Sequence, residues 1–176
     1  MIHGAPPVLV TPPASPLVAI EDLRDQCRVD GVHEDHLLAA YEQAAAGYLD
    51  GPGGLLGRPI LPQVWAQDFC GWGRLRLALP DVRSASAVWI DAEGAEHPAD
   101  AVELHADALG NWLEAVGPAE AALVRVTYEA GMPDDKVPVV RQAVRLMVAH
   151  AFDERADGGH SAAAMALIAP LRRVRV

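Results

Sequence analysis

The hydrophobic period changes twice along this chain, and that double change limits what it can fold into. Residues 20–28 (IEDLRDQCR) place Ile20, Leu23 and Cys27 at i, i+3 and i+7, with Glu21 and Asp22 in the first turn, where a helix dipole favours acids. A short helix is predicted there, ended by Asp30-Gly31. Residues 34–50 carry a longer helical stripe of Leu37, Leu38, Tyr41, Ala44, Ala45, Tyr48 and Leu49, which Gly-Pro-Gly-Gly at 51–54 stops. The period then becomes that of strands. Segments 64–69, 74–79, 86–90, 101–105, 112–115 and 122–128 are short, mostly β-branched or aromatic, and divided by turn residues every ten or so positions. Pro80-Asp81 and Asp-Ala-Glu-Gly at 91–94 are the clearest turns, and the second predicts a hairpin. The helical period returns over 139–155, with Pro138 near the first helical position, where a missing N–H is harmless. Val140, Ala143, Val144, Met147, His150 and Ala151 form its predicted buried stripe, while Arg141, Arg145 and Glu154 face out. Gly158-Gly159 breaks it. Ser161 is the expected N-cap of a last short helix over 162–168, ended by Pro170.

The pattern predicts an α+β chain. It has a helical core (three main helices plus a short C-terminal helix) with an inserted antiparallel β lobe at about 60–130, ordered as a meander that brings the flanking helices together. All four tryptophans, Trp65, Trp72, Trp89 and Trp112, fall in the lobe and are expected to pack in its core. The domain reading is a Pro-rich arm over 1–16, a main domain over 17–159, and a C-terminal helix with a basic tail over 160–176. Pro6, Pro7, Pro12, Pro13 and Pro16 hold the first segment extended, because each fixes its own φ and restricts its predecessor. Extended chain there is either an arm laid across a neighbour or a disordered leader.

Charge bears on partners. The formal net charge is −10, which argues against a protein whose affinity comes from neutralising phosphates. The distribution is uneven. Residues 1–159 hold eleven basic against 24 acidic residues, whereas 160–176 hold only Arg172, Arg173 and Arg175. The apolar run AAAMALIAPL at 162–171 leads into RRVRV. Such a terminus either packs on its own domain or docks on another subunit or protein. Cys27 and Cys70 are too few for a disulfide scaffold and are expected as reduced thiols. No basic n-region precedes Arg24 and no apolar run is long enough to span a bilayer, so an intracellular protein, or one assembled inside a cell, is expected.

Motifs for chemistry fail on their spacing. His33-Glu-Asp-His36 is one residue short of the i, i+4 pair that puts two imidazoles on one helical face. His150 reads as a hydrogen-bonded core histidine. The glycine-rich segment 51–57 follows a helix, whose C-terminus presents carbonyls, the wrong polarity for phosphate. There is no GxSxG elbow and no cysteine–histidine signature. Neither a catalytic residue nor a cofactor or metal ligand is assigned.

The order of short phrases is similar to that of the head–tail connector (adaptor) proteins of long-tailed bacteriophages and of phage-like gene transfer agents. The phrases are Gln-Cys-Arg-Val-Asp at 26–30, Glu-Asp-His-Leu at 34–37, and Ala-Ala-Ala-Gly-Tyr at 44–48. Gly-Arg-Pro-Ile at 57–60, Gln-Val-Trp at 63–65 and Leu-Pro-Asp-Val at 79–82 follow. Next come Val-Trp-Ile-Asp at 88–91, Gly94, and Val-Thr-Tyr-Glu-Ala-Gly at 126–131. Val-Pro at 137–138, the helix 141–150, Glu-Arg at 154–155 and 166–172 complete the match, which spans about residues 17–173.

The resemblance implies a structural, non-enzymatic virion-assembly role. Such proteins form a ring, commonly of twelve subunits, beneath the portal at one capsid vertex. They join it to the stopper or tail-terminator proteins, and DNA passes through without sequence-specific binding. Assembly in the bacterial cytoplasm and residence in the neck of a virion or phage-like particle follow, without a membrane or a cofactor. The C-terminal segment of relatives docks into the portal, which here implies Met165, Leu167, Ile168, Leu171, Arg172, Arg173 and Arg175. Other readings are a stopper or tail-completion protein, a small-ligand module, or an enzyme.

Overall fold

The structure is a computed structural model that describes residues 1–118, 121, 123–154 and 161–173. The chain divides into two compact units. One is formed by residues 14–61 and 132–176, the other by residues 1–13 and 62–131.

The first unit is helical. It contains α1 (Ile20–Cys27), α2 (Asp35–Leu49), α3 (Val137–Asp153) and α4 (Ala162–Ile168), the last running into a 3₁₀ turn at Ala169–Leu171. α1 ends at Cys27, one residue short of the predicted span 20–28. Arg28 takes the left-handed conformation (φ 55°), and the capping N–H groups there bond to the Arg24 and Asp25 carbonyls. α3 packs against α1, α2 and α4. Its buried stripe is Val140, Ala143, Val144, Met147 and Val148, a 3.6-residue period that meets Leu23 of α1, Leu38, Ala45 and Leu49 of α2, and Ala164 and Ile168 of α4. His150 lies on the edge of that stripe, half-buried and 4.0 Å from Glu154. At the end of α2, Asp50 Oδ1 accepts the Ile60 N–H at 2.6 Å, closing the loop over 51–60. Gly54 is required there, since a Cβ would collide with the backbone of Leu49 and Asp50.

The second unit consists of strands. They are β1 (Ile2–His3), β2 (Val8–Thr11), β3 (Gln63–Phe69), β4 (Gly73–Arg76), β5 (Val82–Ile90), β6 (Glu96–Pro98), β7 (Ala101–Asp107), β8 (Gly110–Val116) and β9 (Leu123–Ala130). One sheet has the order β1-β4-β8-β7 and the other β2-β3-β9-β5-β6. Every pairing is antiparallel except β1 with β4. Burial alternates along β3 and β9: Trp65, Phe69, Val124, Val126, Tyr128 and Ala130 point inward, as a pleat of period two requires. Leu75 and Leu113 from the other sheet complete one common core with Leu77 and Leu79. Gln67 is buried but satisfied, accepting from the Ala78 N–H at 3.0 Å and the Tyr128 hydroxyl at 3.3 Å.

These observations correct the predicted architecture. The molecule is not a helical core of three main helices carrying an inserted lobe. Helix and strand contribute about equally, and the two sheets own a separate core that leaves out the helices. The physical reason is that two sheets can bury their apolar faces against each other, so the strand segment needs no helical layer. The meander is corrected as well. Among the described residues only β5–β6 and β7–β8 are hairpins, and β9 runs between β3 and β5, joining the two ends of the strand segment. Of the four tryptophans only Trp65 is buried; Phe69 and Tyr128 are the large aromatics at the centre. Trp72 packs at the margin, donating to the Pro118 carbonyl at 2.8 Å, and Gly117 leaves space for its ring. The proline-rich start supplies β1 and β2, one at an edge of each sheet.

Candidate interaction surfaces

The C-terminal segment is anchored to its own unit. Ser161 Oγ accepts the Ala164 N–H at 3.4 Å, capping a helix too short to persist by propensity alone. Ala164 and Ile168 are completely buried in the helical core, where α4 packs against α3, and Met165 and Leu171 are partly buried against the same core. The chain is then held by the Arg173 N–H, which donates to the Leu56 carbonyl at 3.0 Å. Leu167, 38% exposed, and Arg172 face solvent. Arg175 lies outside the described residues. Of the seven side chains expected to dock on a portal, Ile168 is therefore committed to the core of its own unit. Leu167 and Arg172 form the outward surface.

Charged side chains pair with one another across the elements. Arg24 holds Asp35 through two bonds of 2.6 Å, and Arg145 meets Asp22. Arg125 bridges Asp68 at 2.8 and 3.1 Å and Glu96 at 3.2 Å. Arg76 grips Asp107 at 2.6 and 2.9 Å and holds that carboxyl at about 2. Arg24 likewise holds Asp35 below the usual carboxylate range, and the His97 ring together with the Ala95 and Glu93 N–H groups does so for Asp91. Burial pushes the Cys27 thiol up, away from a reactive thiolate, and raises the Tyr128 phenol. Each of these shifts has a structural pair or burial as its cause.

His33 lies in the turn before α2 and His36 inside the helix, so the two do not share a helical face. Among the described residues no three His, Cys, Asp or Glu side chains are grouped to hold a metal ion. The described helices include none long and apolar enough to cross a membrane. A shallow concavity of about 470 Å³ lies on the outer face of the five-stranded sheet, lined by Val8, Val10, Ala66 and Thr127, with the Arg125–Asp68–Glu96 cluster beside them. Its charged groups are already satisfied by each other, which leaves an apolar floor. β2 at its border was missed by the sequence reading. The available signal was Val-Leu-Val-Thr, β-branched and uncharged, set between two Pro-Pro pairs.

The described charged side chains pair with one another and frame a shallow concavity with an apolar floor. No protein-family model matches the chain, and no curated protein matches it significantly. Among solved structures, it is similar to a chain from the neck of an empty GTA particle computed with C6 symmetry. The TM-score is 0.76 at 24% identity, over 98% of this chain and 97% of that one. The chain thus has, from end to end, the fold of a particle-neck component, and the resemblance to connector proteins holds at the level of fold.

Proposed function

We propose that this chain is a structural, non-enzymatic neck component of a phage or gene-transfer-agent particle, working as an adaptor. In this reading it forms a ring with an expected stoichiometry of twelve. The ring sits beneath the portal, joins it to the stopper or tail-terminator protein, and lines the DNA channel. The observation that carries the reading is the end-to-end fold match to a neck chain. Twelve copies are compatible with the C6 symmetry of that assembly. The acidic body suits a channel wall, because like charge keeps DNA sliding. The terminus supplies the portal contact through Leu167, Arg172 and the end of the basic tail, with Arg175.

The test is electron microscopy and co-sedimentation of the purified protein with its portal. The wild type is expected to add a ring of density at the tail-facing end of the portal. Leu167→Asp combined with Arg172→Glu should keep the fold, since both positions face solvent, and should weaken portal binding by about tenfold or more. Removal of all of 161–176 is the poorer test, because it also takes Ala164 and Ile168 out of the helical core. A wild type that ignores the portal but binds the tail-side proteins would overturn the adaptor reading in favour of a stopper or tail-completion protein.

A further inference from the structure

The glycine-rich loop over 51–60 is bonded along its length. The Leu55 and Leu56 N–H groups donate to the Tyr48 and Leu49 carbonyls at 2.9 and 3.1 Å, and the Gly51 N–H donates to the Arg58 carbonyl at 3.0 Å. The Met132 N–H, from the chain that leads into α3, donates to the Pro59 and Ile60 carbonyls at 3.0 and 3.1 Å. Leu56 and Ile60 are buried in the helical core, and Gly57 and Pro59 are buried beside them in the sequence. The Leu56 carbonyl reaches a distant part of the chain, accepting the Arg173 N–H at 3.0 Å. It belongs to the peptide that joins Leu56 to Gly57, so its direction is set together with the backbone of Gly57. Gly57 has a φ of 66°, in the left-handed region, where a β-branched residue is strained. The tail crosses the loop at close range: a Cβ on Gly57 would lie 3.7 Å from the Cβ of Arg173.

The tail arrives at the loop in a set conformation. After the 3₁₀ turn Arg172 is extended (φ −67°, ψ 131°) and exposed, while Arg173 is half-buried. Chain ends fray unless they are tied down. Here the tie is a main-chain bond, so it fixes the path of the backbone itself. We infer that the loop over 51–60 is a seat that aims the basic terminus, and that Gly57 is a positioning residue for attachment to the portal. The inference rests on the reading of the terminus as the portal contact and adds what orients it. A terminus fixed in advance loses less conformational freedom on binding, so it binds more tightly than the same residues on a frayed end. Gly57 need not touch the portal; it acts through the Leu56 carbonyl and the Arg173 backbone.

The experiment compares two replacements of one residue in the intact protein. Arg173→Gln removes the charge and keeps the N–H, whereas Arg173→Pro removes both. Proline suits its predecessor, because Arg172 already has the extended conformation that a following proline demands. Portal binding, read by co-sedimentation, should be at least about fivefold weaker for Arg173→Pro than for Arg173→Gln. On the loop, Gly57→Asn tolerates a positive φ and should bind nearly as the wild type does, and Gly57→Val should bind as weakly as Arg173→Pro. Hydrogen exchange on the protein without portal reads the seat directly. The Arg173 amide should be protected in the wild type and in Gly57→Asn, and should exchange freely in Gly57→Val. If Gly57→Val does not fold, the Arg173 pair decides alone. Equal portal binding by Arg173→Pro and Arg173→Gln overturns the inference, as does an Arg173 amide that exchanges freely in the wild type. The outcome is separable from that of the neck reading. A wild type with a protected Arg173 amide that ignores the portal overturns the adaptor reading, and the role of the seat with it. Portal binding that is indifferent to the Arg173 pair overturns the seat alone.

Discussion

Glu42 faces into the helical unit, where a carboxylate is not expected. It lies one turn from Leu38 and from Ala45 on the buried side of α2, and it is only 4% exposed. Its Oε1 accepts the N–H groups of Leu17 and Val18 at 2.9 and 3.2 Å, just where the chain leaves its proline-rich start and enters the helices. The Leu17 carbonyl in turn accepts from Arg141 Nε at 3.0 Å, so the backbone of this entry point is held from two helices. The sequence reading could not find this arrangement. A charged residue on an apolar face looks like an interruption of the stripe, and the partners are backbone groups with no identity in the sequence. Arg141 is exposed, as its outward position on the helix implied, and reaches the Leu17 carbonyl with its Nε. Replacement of Glu42 by Ala would leave two buried donors unpaired and should cost about 3 kcal/mol, while Glu42→Gln, which keeps an acceptor oxygen, should cost about 1 kcal/mol. Urea unfolding followed by helical circular dichroism measures both. Equal stability of Glu42→Ala and wild type would show that the entry point is held by packing alone.

At the scale of elements, period and punctuation carried most of the information. The four helices appear within a few residues of the spans that their stripes and stop signals implied. A helix is a local object, and its stripe, cap and breaker lie in one window. The six strand segments of the middle region also appear, as parts of β3, β4, β5, β7, β8 and β9. Their order was not legible, because the pairing of β9 with both β3 and β5 is decided by partners more than thirty residues away. The N-terminal strands were hidden by the prolines around them. In α4 the reading found the apolar run but not its inward face: a seven-residue helix has too few turns to set a stripe, and Ile168 and Leu167 looked alike. The structure separates them, and so should measurement. Ile168→Ala empties a fully buried site and should cost about 3 kcal/mol, whereas Leu167→Ala should change stability by less than about 0.5 kcal/mol. Thermal unfolding of the two variants checks the ranking, and a reversed order would mean that the helix sits on its unit by the opposite face.

At the scale of the molecule, two cores and one uneven charge distribution set what the protein can meet. Each unit buries its own apolar residues in a separate core. Arg24, Arg76, Arg125 and Arg145 are each engaged with a carboxylate. An arginine already paired cannot release counterions from a phosphate backbone without giving up that pair, and the excess of acids over the first 159 residues repels the backbone further. The basic terminus adds three arginines in seventeen residues, which can neutralise at most about three phosphates, a weak and strongly salt-dependent attraction. The intact protein should therefore show no measurable duplex binding by fluorescence anisotropy near physiological salt. Any weak signal at low salt should fall steeply as salt rises and should vanish when Arg172, Arg173 and Arg175 are replaced by Gln. Tight duplex binding that survives those replacements would place a cationic surface on the body, and the acidic channel wall proposed for this subunit would have to be abandoned.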